Sequence, residues 1–164
     1  MLSKKRIILG VDPGYGRMGA AVIEKDKSKE SLLHSECFET LSSLGHSDRL
    51  VLVAKKIETI IDKYLPNELA IETLLFGKNQ KTALSVAEAR GVIILQAAKK
   101  GLKIREFNPN QIKLAVTGYG KSDKKQVISM IPKLVKMDSK KRLDDEYDAI
   151  AVALTSAAIS ISTE

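Results

Sequence analysis

Arg6-Ile7-Ile8-Leu9-Gly10-Val11-Asp12-Pro13-Gly14-Tyr15-Gly16, followed by Gly19-Ala20-Ala21-Val22-Ile23-Glu24, decides the architecture. Arg6 to Val11 reads as a buried strand after a short basic leader, because its apolar run is short and Asp12-Pro13-Gly14 ends it in a turn. Gly19 to Glu24 reads as a second strand. Lys25 to Glu30 makes a polar hairpin into a third strand, Ser31 to Thr40. Three consecutive short strands on short turns predict an antiparallel meander.

From there the pattern alternates. Leu50, Val53, Ala54, Ile57, Ile60 and Ile61 keep helical spacing and predict a helix over 47–65, ended by Pro66. Glu68 to Thr73 reads as a strand, Lys81 to Lys100 as a long helix with Gly101 as its C-cap, and Leu102 to Phe107 as a fifth strand. Pro109 opens a short helix reaching Thr117. A glycine loop over 118–122, a helix over 124–135 with a bend expected at Pro132, a basic connector over 136–142 and a last helix over 144–161 complete the chain. The order β-β-β-α-β-α-β-α-α-α predicts one α/β domain over 1–164. It is a mixed five-stranded sheet, three antiparallel strands first, with helices on both faces, which is the ribonuclease H-like arrangement.

The 164 residues suffice for one sizeable core, and 44% hydrophobic with 29% charged residues is a globular composition. No stretch approaches the roughly 18 apolar residues of a membrane span. Cys37 is the only cysteine. It excludes an internal disulfide and a cysteine metal cluster, and makes a reducing cytoplasm the expected compartment. The net charge is +7, and it is uneven: residues 99–142 net +10 and the remainder −3. Such asymmetry points to a polyanion-binding face, although a solvated lysine-rich surface would read the same way.

Four carboxylates stand where chemistry could use them. Asp12 ends the first strand and Glu72 the fourth, while Asp145 and Asp148 share one face at the start of the last helix. Asp144 and Asp148, spaced four, would share a face too. Each has an ordinary alternative, as a turn residue, a helix-capping acid or a solvated strand end. Clustered carboxylates in apolar segments require a cation, and oxygen donors suit Mg²⁺, with Mn²⁺ able to substitute. Two such ions can drive phosphodiester hydrolysis without a side-chain nucleophile. His34 and His46 are expected as isolated surface or turn residues.

Three blocks resemble the RuvC family of Holliday junction resolvases. They are Ile8-Leu9-Gly10-Val11-Asp12-Pro13-Gly14, then Ala70-Ile71-Glu72 with Lys78-Asn79 and Ala89-Arg90-Gly91-Val92, then Asp145-Glu146-Tyr147-Asp148-Ala149-Ile150-Ala151. The resemblance runs from about residue 6 to 160. It implies that Asp12, Glu72, Asp145 and Asp148 hold the catalytic metal. It implies that Lys113 and Lys124 occupy the family's basic positions near the scissile DNA. Lys121 of the same basic third, and Lys78 and Asn79 of the second block, are further candidate DNA contacts. It also implies a homodimer that nicks opposed strands of a four-way junction symmetrically, in recombination and repair, beside the RuvA–RuvB branch-migration complex. One place departs from the pattern. Where the family often carries an aromatic residue three positions after the glutamate, this chain has Leu75, with Phe76 next; the base-contacting role falls to one of the two.

Rival readings use the same elements. A ribonuclease H acting on RNA/DNA hybrids shares the metal chemistry. A catalytically silent junction-binding module would need fewer carboxylates. An ATP-binding protein of the actin and sugar-kinase group also opens on Asp-x-Gly, but needs two domains. The helix over 81–100, apolar around most of its circumference, is expected to form the dimer contact, with Ala87 and Ile94 on its outer face.

Overall fold

The computed structural model of the chain describes residues 5–74 and 80–159. Leu75, Phe76, Lys78 and Asn79 lie outside them. Five strands form one sheet: β1 (Arg6–Asp12), β2 (Arg17–Asp26), β3 (Lys29–Glu39), β4 (Glu68–Glu72) and β5 (Lys103–Phe107), in the order β3-β2-β1-β4-β5. β1, β2 and β3 pair antiparallel; β1 with β4 and β4 with β5 pair parallel. The helices are α1 (His46–Tyr64), α2 (Gln80–Lys99), α3 (Pro109–Thr117), α4 (Lys124–Leu134) and α5 (Asp144–Ala158). The expected mixed sheet, meander first, is therefore present. Among the described residues no helix is long and apolar enough to cross a membrane.

Strand alternation sorts the side chains onto two faces. Leu9 and Val11 of β1, Ala20 and Val22 of β2, and Leu69 and Ile71 of β4 meet α1 and α2. Ile8, Ala21, Ile23 and Ala70 point the other way, onto α3, α4 and α5. By the same alternation Asp12 and Glu72 fall on the α5 face.

α5 lies unusually close to the sheet, and glycine permits it. A Cβ on Gly10 would stand 2.3 Å from the Ala149 carbonyl, and one on Gly19 would stand 1.8 Å from that of Asp145. Small residues answer from the helix, where Ala149 and Ala153 are fully buried. The close approach sets the height of α5 over the ends of β1 and β2.

Pro132 sits inside α4 without ending it, within the helix expected over 124–135. Two local expectations change. α5 stops at Ala158, with Ile159 extended rather than helical; the β-branched stretch there favours helix poorly. Ile94 is half-buried against the α1–α2 core rather than on an outer face, because α2 turns Ala89, Ile93 and Ala97 inward and Val92 and Ile94 flank that line.

Candidate active site

Asp12 and Glu72 are the last residues of two adjacent parallel strands whose register pairs Val11 with Ile71. Their carboxyl groups therefore emerge side by side at the carboxyl end of the sheet. α5 delivers Asp145 and Asp148 to the same end. Its first turn carries Asp144, Asp145 and Glu146, an arrangement the helix dipole favours. Arg90 of α2 secures Glu72 by donating from Nε to the Glu72 carbonyl at 3.0 Å, while its other end pairs with Glu106.

Electrostatics report how closely the four acids sit. Burial, followed by the charges of Asp148, Glu72 and Asp145, pushes the Asp12 carboxyl up to about 8. Burial and then Asp148 raise Glu72, against the pull of Lys113 and Lys124. Asp148 is raised by burial, opposed by a hydrogen bond from Lys124. Asp144 is absent from the charges that act on Asp12; it is exposed and faces Lys124 at 3.4 Å. Of the two aspartates left open by spacing, Asp145 is the one beside Asp12.

Cations already occupy the flanks. Lys124 Nζ donates to Asp148 Oδ2 at 3.1 Å, and Arg17 reaches Asp145 Oδ2 at 3.1 Å. With Asp145 and Asp148 engaged by these cations, no three carboxylate, imidazole or thiol groups among the described residues converge into a preformed metal cage. The donor set nonetheless fits a hard divalent cation. It is all oxygen, mutually repulsive and half-buried, and a carboxyl held near 8 by burial and by like charges is one that added positive charge would ionise.

The remaining candidates divide. Lys113 and Lys124 line a hollow of about 260 Å³ with Glu72 and Asp148. Capping boxes at Asn108 and Asp123 fix the starts of α3 and α4, and so the two lysines. Lys121 is exposed in the loop between those helices and does not line the hollow. His34 and His46, expected to be isolated, are both engaged. His34 bonds Glu36 and stacks on Tyr64, and His46 bonds Glu88 and the Tyr15 hydroxyl. Neither takes part in the acidic cluster.

Sequence reasoning gave no role to Arg17 or Cys37. Cys37 lies across from Gly19 on β3, its Sγ 3.9 Å from Asp145 Oδ2, and burial and then Asp145 push the thiol up to about 11. Only strand register could have revealed this proximity.

Residues 8–156 match the family model of crossover junction endodeoxyribonuclease RuvC. The chain belongs to the RuvC family. It is 44% identical over 146 residues to the RuvC of Thermosipho melanesiensis, covering 89% of this chain and 93% of that protein. It is 40% identical over 148 residues to the RuvC of Ruminiclostridium cellulolyticum, covering 90% and 89%. A solved structure, T. thermophilus RuvC in complex with Holliday junction substrate, superposes with a TM-score of 0.86 at 27% identity over 93% of each chain. The RuvC match takes in all four carboxylates, Arg90 and both lysines of the hollow.

Proposed function

We propose that this protein is a structure-selective endonuclease that resolves four-way DNA junctions by metal-dependent phosphodiester hydrolysis, in recombination and repair. The carrying observation is the acidic centre at the carboxyl end of the sheet, flanked by lysines, in a chain whose RuvC match spans nearly its whole length. The T. thermophilus relative is in complex with a Holliday junction substrate. In this reading Asp12, Glu72, Asp145 and Asp148 hold Mg²⁺, two ions per site, with Mn²⁺ able to substitute. When bound, the ions polarise the scissile phosphate and acidify an attacking water.

The chain's own residues do the rest. The carboxylates fix the position of the reaction. Lys113 and Lys124 carry positive charge to the wall where the phosphate lies, and neutralise charge that develops on it. Lys121 contacts backbone beyond it. Leu75 or Phe76 contacts the bases at the crossover, and Lys78 and Asn79 are further contacts to the DNA. A homodimer presents two such sites to the two equivalent strands, working in the cytoplasm with the RuvA–RuvB branch-migration complex.

The test is cleavage of a synthetic four-way junction beside linear duplex and an RNA/DNA hybrid, with Mg²⁺ and with chelator. Paired symmetric nicks are expected in the junction alone, and only with metal. Asp12→Asn should bind the junction and leave it uncut. Preferential cutting of the hybrid would replace the proposal with a ribonuclease H.

A further inference from the structure

Between α4 and α5, four of the seven residues over 136–142 are basic: Lys136, Lys140, Lys141 and Arg142. The segment is fastened along the free edge of β3. Lys136 forms a parallel bridge to Ser31 at one end. At the other, Arg142 donates from Nε to Ser35 Oγ at 3.0 Å and binds Asp138 Oδ1 at 2.7 Å, with its side chain only 5% exposed. Between strap and strand lies a groove of about 480 Å³, lined in part by Lys136, Lys140, Arg142, His34 and Ser35.

Arg142 is committed inward, and Lys140 divides between solvent and the buried Glu146 at 3.1 Å. Lys136 and Lys141 are exposed and form no ion pair among the described residues. A buried arginine that anchors a backbone presenting unpaired lysines is more than a solvated charge run. The backbone that carries the lysines is already anchored, so little backbone order is lost when they meet a ligand.

The strap's location says which ligand. It leads directly into α5, and Lys141 lies four positions before Asp145. Their Cα atoms are therefore at most about 14 Å apart, roughly four base steps along one strand. Lys113 and Lys124 flank the acidic centre on the β4 side; the Lys141 end of the strap approaches it on the β3 side, and from there the strap runs back along β3 to Lys136 beside Ser31, towards the other end of the sheet. A polyanion crossing the carboxylates would meet positive charge before and after them.

We propose that the Lys136–Arg142 strap is a second backbone-contacting surface, which takes phosphates of the junction arm leaving the cut site. Lys136 and Lys141 make the contacts and Arg142 acts as the anchor. This rests on the junction-cleaving reading above. Lysines that displace counterions contribute close to one each to the slope of log affinity against log salt.

The experiment measures junction affinity in calcium, from low to moderate salt, for Lys136→Ala/Lys141→Ala. A control pair, Lys55→Ala/Lys103→Ala, removes two exposed lysines elsewhere. Single-turnover cleavage at saturating enzyme is measured for each. The strap pair should lower the slope by roughly 1 to 2 and leave the cleavage rate within about twofold, while the control pair keeps the wild-type slope. An unchanged slope, or an equal fall in the control, overturns the proposal. So does a lost cleavage rate with the slope intact, because the strap would then act by placing α5. Wild-type protein that neither binds nor cuts the junction overturns the functional reading itself, a distinguishable failure.

Discussion

Asp12 concentrates the chemistry of single residues. Its carboxyl stands near 8 instead of the ordinary 3.8, through burial and three neighbouring acids. Between those values the folded, metal-free chain binds a proton that the unfolded chain has lost, so stability falls as pH rises from about 4 to 8 and levels above. A tenfold change in acid strength is worth about 1.4 kcal/mol, so the penalty reaches several kcal/mol. Thermal denaturation in chelator should show a lower Tm at pH 8 than at pH 5, and Asp12→Asn should shrink that difference while raising Tm at pH 8. Mg²⁺ should restore the wild type more than the variant. A pH slope identical in the two proteins would mean that Asp12 does not carry the strain. Much of this site was legible beforehand: carboxylates at strand ends and a helix start stand out against apolar neighbours. The choice between Asp144 and Asp145 was not, since both share a helix face with Asp148. It depends on how α5 is rotated over β1, which only packing determines. Arg17 and Cys37 were hidden for a related reason, because their nearness to Asp145 arises from pairing across β2 and β3.

At the scale of elements, the order of strands and helices along the chain followed from periodicity, since buried strands and amphipathic helices carry strong and different repeats. The height of a helix above a sheet has no such repeat. It is written in Gly10 and Gly19, which sequence reading treated as ordinary strand residues. Adding a methyl at either drives it into the backbone of α5, at 2.3 Å or 1.8 Å. α5 must then lift or tilt, and Asp145 and Asp148 move with it. Gly19→Ala should therefore lower stability by about 1–3 kcal/mol and reduce cleavage at saturating Mg²⁺ by more than tenfold, since an ångström of misplacement is costly to catalysis. The same substitution at Gly91 meets nothing within 4 Å. In an isolated protomer it should stabilise α2 by up to about 1 kcal/mol. Chemical denaturation of both variants, and single-turnover cleavage of Gly19→Ala against the wild type, check this. Equal tolerance at Gly19 would show that the helix–strand contact does not position the acids. The basic strap was legible as charge but not as a structure, because its anchor is Arg142 reaching 107 residues back to Ser35.

For the whole molecule, the surface that matters most is the outer side of α2. The helix's inward line, Ala89, Ile93 and Ala97, covers the sheet. A second line, Leu84, Gly91, Leu95 and Ala98, runs along the outside at helical spacing, with Leu84 68% and Leu95 56% exposed. A glycine flanked by two exposed leucines leaves room for another helix to approach closely. Soluble monomers seldom leave such a stripe uncovered, and a two-fold axis lets one stripe cover its own copy. A four-way junction asks for the same symmetry, offering two equivalent strands to two equal sites. Wild-type protein should therefore sediment as a dimer at micromolar concentration, and Leu95→Glu as a monomer with its fold intact. Ile94→Glu is the poorer probe: Ile94 packs partly against the protomer's own core, so its loss would mix misfolding with dissociation. If pairing is what synchronises the nicks, monomeric Leu95→Glu should cut one strand and release nicked junctions, whereas the wild type releases two linear duplexes. A wild type that stays monomeric both alone and on junction DNA would defeat the dimer. A Leu95→Glu monomer that still yields paired symmetric cuts would separate symmetry of cleavage from symmetry of assembly.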